Sequence, residues 1–325
     1  MKKLPVCLIL TLLIISLLLN LTSCNNKTPS EEGIEGTITI SGAWALYPMV
    51  VKWGEEFQKI HPKVMLDISA GGAGKGMADA LAGVVDLGMV SRDIYPAEVE
   101  KGAWWISVTK DAVVPTVNEN NPAITEILSK GVTKQSLIDI WITGKITDWG
   151  EIFSEKSGHA IHVFTRSDAC GAAKTWAKFL DKNQEDLQGI GVYGDPGLAE
   201  AVVQDVSGIG YNNINYVYDN QTKSPVKGIR ILPIDLNNNG RIDESEDFYD
   251  NRDQIVEAIK EGKYPSPPAR DLHLVSKSRP NRKVVTEFLK WILTDGQKYV
   301  PEAGYINFSE QRLQMELTKL ETVNQ

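Results

Sequence analysis

Short β-branched runs alternate with longer helical ones along almost the whole chain, and in three places the handover from strand to helix runs through glycine. That alternation is the pattern of an α/β fold with largely parallel sheets, because parallel strands need a crossover long enough to be a helix. Strands are expected at 37–41, 64–69, 84–90, 104–109, 113–117, 161–165, 208–212, 229–234 and 272–275. Helices are expected at 46–61, 76–82, 133–143, 171–180, 197–205, 252–261 and 284–294. In the last of these, Val285, Phe288, Leu289 and Ile292 recur at helical spacing, which marks one buried face.

The glycine handovers are Ser41-Gly42-Ala43, residues 69–76 (SAGGAGKG) and residues 165–172 (TRSDACGA). Such a turn lets backbone N–H groups converge at the positive end of a helix, so all three can face one anion. Taken alone, each is as readily a tight turn with no ligand. SAGGAGKG is not a P-loop, since neither Ser nor Thr follows the lysine and the spacing differs, and it does not fit G-x-G-x-x-G.

At the N-terminus, Lys2 and Lys3 precede an almost wholly apolar run over 4–21 and then Leu21-Thr22-Ser23-Cys24. Small residues ending on Cys directly after the run point to a secretory signal over 1–23 with a lipid anchor on Cys24. The alternative is a transmembrane helix, because the run is near the threshold of roughly 18 residues. Residues 24–36 read as a tether, because after Cys24 they are polar, acidic and carry Gly, Pro and Ser, with the folded body starting near Thr37. Export leaves Cys170 as the one cysteine free of lipid, so an intramolecular disulfide is not expected. The expected location is extracytoplasmic and membrane-anchored, in the periplasm or on the outer face of the cell membrane. The chain has 34 basic and 42 acidic residues, net −8, and loss of Lys2 and Lys3 deepens this to −10. Nucleic acid is therefore not an expected partner. An anion ligand is compatible with this charge, because nearby amides and arginines decide its affinity. The roughly 290 residues after the tether suit two lobes rather than one core, and no repeat of 20 to 50 residues is present.

Seven stretches carry a resemblance: SGAWALYPMVVKWGEEFQKIHP (41–62), ISAGGAGKGM (68–77), VDLGMVSRDI (85–94), LIDIWITGKITDW (137–149), FTRSDACGAAKTW (164–176), VSGIGYNNI (206–214) and FLKWILTDGQKYVPEAGYINF (288–308). With them the chain resembles the substrate-binding lipoproteins of phosphate ABC importers, which have the type II periplasmic-binding-protein fold. The resemblance implies two lobes, each with a mostly parallel sheet, joined by crossovers near 111–117 and 227–233. Lobe one is expected at 37–112 plus 230–325 and lobe two at 113–229. The ligand lies in the cleft between them and hinge closure buries it. The implied function is capture of phosphate by a monomer and delivery to the importer's permease, with no catalysis and no organic cofactor.

Carried over residue by residue, the family's site fits in part. Ala45 and Leu46 stand before Tyr47-Pro48 where the family offers a hydroxyl residue, leaving backbone amides. Ala73, between Gly72 and Gly74, takes a place where relatives often have serine. Arg166 and Asp168 match, whereas Cys170 and Ala172, flanking Gly171, replace the usual serine and threonine. Ser91 remains, followed by Arg92, where some relatives have aspartate and others arginine. Each lost hydrogen bond to a charged ligand costs roughly 1.5–3 kcal/mol, so amides and arginines must compensate. An aspartate, Asp168 or Asp93, would accept the proton of hydrogen phosphate and reject sulfate. If neither does so, sulfate, molybdate or tungstate becomes the ligand. The plainer alternatives are that Asp168 only orients Arg166, that Arg92 forms a salt bridge, that Cys170 is a small buried residue and that Tyr47 packs beneath the cleft.

A second motif is DLNNNGRIDESE over 235–246. Asp235, Asn237, Asn239, the Arg241 carbonyl, Asp243 and Glu246 match the ligand positions of a calcium loop, with Gly240 at its sharp turn and Ile242 packing inward. The loop is expected within lobe one, holding one structural Ca2+ and stiffening the second crossover. The alternative is an acidic turn with no metal. Two other functional classes compete with transport. A hydrolase would use Cys170 activated by histidine, yet His61, His159, His162 and His273 stand in no triad context, and His159 and His162 are expected at the end of the lobe away from the cleft. An anion sensor would use the same cleft without transport.

Overall fold

The computed structural model describes residues 33–153 and 158–322. The expected signal over 1–23, the Cys24 anchor and the tether up to residue 32 lie outside the described residues. In chain order the elements are β1 (Gly36–Gly42), α1 (Tyr47–Ile60), β2 (Val64–Ala70), α2 (Ala73–Ala82), β3 (Leu87–Val90), α3 (Pro96–Glu100) and β4 (Ala103–Asn118). Then follow α4 (Ile124–Lys130), β5 (Val132–Thr133), α5 (Lys134–Trp141), α6 (Trp149–Phe153), β6 (His162–Arg166), α7 (Gly171–Phe179), β7 (Ile190–Val192), α8 (Gly194–Gln204) and β8 (Gly208–Asn213). The chain ends with β9 (Ile229–Ile231), β10 (Ile234–Asp235), α9 (Arg252–Lys260), β11 (Ala269–Lys277), α10 (Lys283–Leu293) and α11 (Glu310–Glu321).

Nine strands form two halves of one sheet that share β4, and β5 and β10 form a separate pair. One half runs β2-β1-β3-β11-β4, with the first three strands parallel and β11 antiparallel to both neighbours. The other runs β4-β8-β6-β7, where β6 is parallel to β7 and β8 while β8 and β9 lie antiparallel on β4. This is the type II periplasmic-binding-protein arrangement, each half built around a parallel triplet. The expected strands at 104–109 and 113–117 are one strand, because residues 110–112 continue the ladder with 269–271. Within β4 the partner changes from β11 to β8 between Ala112 and Val113.

Each half closes over its own aromatic core. In the first, Phe57 of α1 meets Phe288 at 5.0 Å and Trp291 at 5.5 Å on the apolar face of α10. In the second, Trp176 of α7 packs edge-on against Trp141 at 5.4 Å and stacks on Tyr211 at 5.8 Å. Such rings bury large areas and dominate the packing energy.

The boundary expected at residue 230 is corrected by this packing. β9 pairs with residues 116–118 of β4 and β10 pairs with β5. Ile231, Ile234, Tyr249, Ile255 and Tyr264 share one buried cluster with Trp141, Trp176 and Tyr211. Residues 230–264 therefore belong to the second half, since their apolar side chains find its core within reach. The chain returns at 265–269, not at 227–233: there the Tyr264 hydroxyl donates to the Val113 carbonyl at 2.6 Å and Val113 N–H to the Pro268 carbonyl at 3.1 Å. Smaller differences have local causes. α2 starts at Ala73 rather than 76 because Gly72, at φ 90°, makes the turn. β3 covers only the end of the expected 84–90, and 229–234 is split ahead of Pro233, whose carbonyl instead accepts from Val132.

Candidate functional site

The three glycine turns meet at the junction of the halves. At Gly42, φ 132°, a Cβ would strike the Met89 carbonyl and stand 2.7 Å from the Gly76 Cα, so β1, α2 and β3 approach this closely only through glycine. The Gly42 carbonyl accepts the N–H groups of Gly71 and Gly72 at 2.8 and 3.0 Å, which ties the first turn to the second. Across the junction, Gly74 N–H donates to the Ala169 carbonyl at 3.1 Å, tying the second turn to the third. Gly171, first residue of α7, lies against Ser91 so closely that a Cβ would overlap the Ser91 Oγ and carbonyl. Ala45, Leu46, Ala73 and Ala172 are buried with their methyls in the packing, while Tyr47 is half-buried beside Trp44. The amides of Gly171 and Ala172, in the first turn of α7, have no intrahelical acceptor by construction.

Arg166 ends β6 with a side chain that is 0% exposed. Its Nε and Nη2 donate to both oxygens of Asp168 at 2.7 Å, and Nη1 donates to Asp195 at 2.6 Å. Burial works against the guanidinium's charge, and Asp195 and Asp168 overcome it, so its proton is held more firmly than usual. Asp168 therefore orients Arg166, and its Oδ2 also lies 3.0 Å from where a Gly72 Cβ would stand. Asp195 accepts from Asn213 Nδ2 at 2.7 Å. Asn213 in turn accepts from Arg270, which pairs with Asp111 at 3.2 Å. Burial pushes the Asp111 carboxyl up to about 7 against the pull of Arg270. Arg166 thus faces two carboxylates, Asp168 and Asp195, while Arg270 faces Asp111.

Several expected members stand elsewhere or act differently. Arg92 is engaged by its own neighbours: both its terminal nitrogens donate to Glu98, at 2.7 and 3.0 Å, and it stacks on Tyr95 at 4.4 Å. Its fork is spent in a salt bridge. Asp93 pairs with Lys178 at the surface. Cys170 is buried, its Sγ accepts the Ala173 N–H at 3.4 Å, and burial pushes its thiol up to about 12. His162 begins β6, the end opposite Arg166, and bonds Asp205 at 2.6 Å. Asp195, Asn213, Arg270 and Asp111 were not anticipated, because no spacing links residues this far apart in the chain. The only local cue was the Gly194-Asp195-Pro196 helix start.

The 235–246 loop docks on the second half and not at a crossover. Ile242 N–H donates to the Ser129 carbonyl at 2.9 Å, and its side chain fills the space a Cβ at Gly131 would need. Asp235 accepts Asn239 and Gly240 N–H at 3.2 and 2.9 Å, and Glu246 accepts Leu236 and Asn237 N–H at 2.8 and 3.0 Å. Asn237 and Asn239 both turn their amides to Asp243, whose other oxygen meets Arg241 at 2.7 Å. Among the described residues no three acidic, His or Cys side chains stand close enough to hold a metal alone. A cation here would need the asparagine oxygens and the Arg241 carbonyl as well.

The chain is similar to the phosphate-binding protein PstS of Staphylococcus epidermidis, 25% identical over 280 residues that cover 84% of this chain and 79% of that one. It is also similar to PstS of Staphylococcus aureus, 24% identical over 313 residues, 94% and 88% of the two chains. Among solved structures, it superposes on a protein from Clostridium perfringens described as a phosphate ABC transporter substrate-binding protein with bound phosphate. The TM-score is 0.69 at 23% identity, over 84% of this chain and all of that one. An ABC-type phosphate transport receptor from Vibrio cholerae gives 0.59 at 19%, over 83% and all of the two chains. No helix among the described residues is long and apolar enough to cross a membrane. Residues 27–296 match the PBP superfamily domain, and with the shared β4, the paired parallel triplets and the junction of glycine turns, the chain belongs to that superfamily.

Proposed function

We propose that the chain captures phosphate between its two halves and delivers it to the permease of an ABC importer. The observation that carries this reading is the Asp168 carboxylate, held toward the Gly72 turn, where it and Asp195 share the single guanidinium of Arg166. A fully ionised anion is repelled there, whereas hydrogen phosphate brings a proton that Asp168 accepts while the Gly171 and Ala172 amides and Ser91 hold its other oxygens. The names of the staphylococcal relatives support the same ligand. Calorimetry of ligand-free protein against phosphate, sulfate, molybdate and tungstate at two pH values tests it. Phosphate should bind with little competition from sulfate, and equal or tighter sulfate binding overturns the assignment.

In this reading the protein is exported, works as a monomer and is held to the membrane by lipid on Cys24. Cys24→Ser should release it from the membrane fraction, and retention of the variant there refutes the anchor. No turnover is assigned to Cys170, given its buried, protonated thiol.

For the 235–246 loop, structural calcium is the proposed ligand. Asp235, Asp243 and Glu246 supply three carboxylates against the single cation Arg241, and Asn237, Asn239 and the Arg241 carbonyl supply neutral oxygens. When bound, the ion supplies charge neutralisation and ligand bonds in place of the loop's present hydrogen bonds. Calcium should raise the melting temperature and chelation reverse it, with Glu246→Gln abolishing the difference. Identical melts with and without calcium refute the site.

A further inference from the structure

Arg270 occupies an unusual place. It sits on β11 directly opposite Asp111 of β4, where the two strands run side by side into the junction. Its side chain is 7% exposed and that of Asp111 is 0%. From the strand it reaches into the second half: Nη1 donates to the Gly171 carbonyl at 3.3 Å and Nη2 to Asn213 Oδ1, with Asp111 Oδ2 at 3.4 Å. Gly171 is the residue whose amide opens α7 at the anion site. Asn213 continues through Asp195 to Arg166. One buried guanidinium thus touches the strand that joins the halves, the first turn of the anion helix and the polar chain behind the other buried arginine.

The pairing with Asp111 is also incomplete. Arg270 Nε and Asp111 Oδ1 lie 3.2 Å apart but are misaligned, and neither has a hydrogen-bond partner among the described residues. Buried polar atoms without a partner are costly. The pair on the two joining strands is therefore held by one long hydrogen bond, Nη2 to Oδ2, beside a misaligned Nε–Oδ1 approach, a link that bending can tighten or loosen without separating the charges.

We propose that Arg270 is the positioning residue of the anion site, holding the Gly171 turn in register with the joining strands so that closure presents the Gly171 and Ala172 amides to the ligand. The inference rests on the oxyanion reading above. It also accounts for the absent hydroxyls: amide donors serve only if the turn that carries them is fixed, and the guanidinium's planar fork fixes the Gly171 carbonyl and Asn213 together. Lysine offers a point charge and cannot span both acceptors.

The test uses the full mature chain and inorganic phosphate. Arg270→Lys keeps a positive charge beside Asp111. The double variant Asp111→Asn/Arg270→Met removes both charges, so that no buried ion is left alone if the single variant folds poorly. For each, phosphate affinity is measured by calorimetry at about 50 and about 500 mM salt, alongside thermal melting. Arg270→Lys should bind phosphate about 10- to 100-fold more weakly at both salt concentrations, with a melting temperature within about 3 °C of wild type. The folded double variant should show a loss at least as large. Full affinity in the lysine variant overturns the positioning role and leaves only a charge effect. Full affinity in the double variant overturns any role. If the wild-type protein binds no oxyanion at all, the oxyanion reading fails first and this inference falls with it.

Discussion

Gly171→Ala isolates closure from folding. Gly171 opens α7 without a positive φ, so alanine fits the local backbone. What alanine cannot fit is the neighbour. The new methyl would overlap Ser91 Oγ and the Ser91 carbonyl oxygen and lie 2.7 Å from the carbonyl carbon, so no side-chain rotation relieves the clash. Ser91 follows β3 in the first half and Gly171 begins α7 in the second, so the methyl is a wedge between halves rather than a defect within either core. Overpacking of this kind costs about 1–3 kcal/mol in a rigid interior. Here the halves can part instead, and the cost falls on the closed form that binds ligand. Phosphate affinity should therefore drop by about 5- to 150-fold. Calorimetry measures that loss, small-angle scattering should show a larger radius at saturating phosphate, and thermal melting without ligand should be unchanged. Wild-type affinity with wild-type compaction would show that binding does not need the Ser91–Gly171 contact. A collapsed melting temperature would show that the contact belongs to a core.

Asp168→Asn should narrow the preference for phosphate over sulfate by at least about 10-fold, because the group that repels a proton-free anion is gone; an unchanged ratio, by competition calorimetry, refutes proton reading by Asp168. Cys170→Ala should retain phosphate affinity, and the native thiol should resist alkylation at pH 8 in the folded protein; rapid labelling would contradict the burial that pushes it to about 12. His273 is buried, and burial lowers it to about 4 from an ordinary 6.5. The folded state therefore binds fewer protons than the unfolded chain between those values, and its stability falls as pH drops from 6.5 to 4. Measured by denaturant melts, the difference between wild type and His273→Gln should shift against wild type by up to about 3 kcal/mol over that window; a pH-independent difference refutes it.

Much of the fold was readable because its signals are local. The glycines at 42, 72 and 171 mark handovers wherever they stand, and Val285, Phe288, Leu289 and Ile292 declare a buried face within one helix. Where residue 230 belongs was not readable, because Ile229, Ile231 and Ile234 announce a strand but not which half of β4 it joins. α11 gave little warning, since only Glu316 and Leu320 are buried on it. The site divided the same way. Arg166 and Asp168 lie two apart and their pairing could be expected. Arg92 could not be assigned, because the choice between the junction and Glu98 depends on how α3 returns beside it. Arg270 and Asp111 are separated by 159 positions and meet only through the register of β11 on β4.

The sharing of β4 sets an order on biogenesis. Residues 113–264 contain nearly everything the second half needs beyond that strand, so this half can mature as soon as it emerges from translation or export. The first half cannot: its ladder has a gap between β3 and β4 until β11 arrives, and α10 follows later still. During that interval the edge of β3, Leu87–Val90, is wholly apolar apart from glycine and awaits its partner. Such an edge invites pairing with another nascent chain. The segment from β11 onward thus acts as the closing clasp, and premature termination between β3 and β11 would yield a species prone to aggregation rather than a shortened binder.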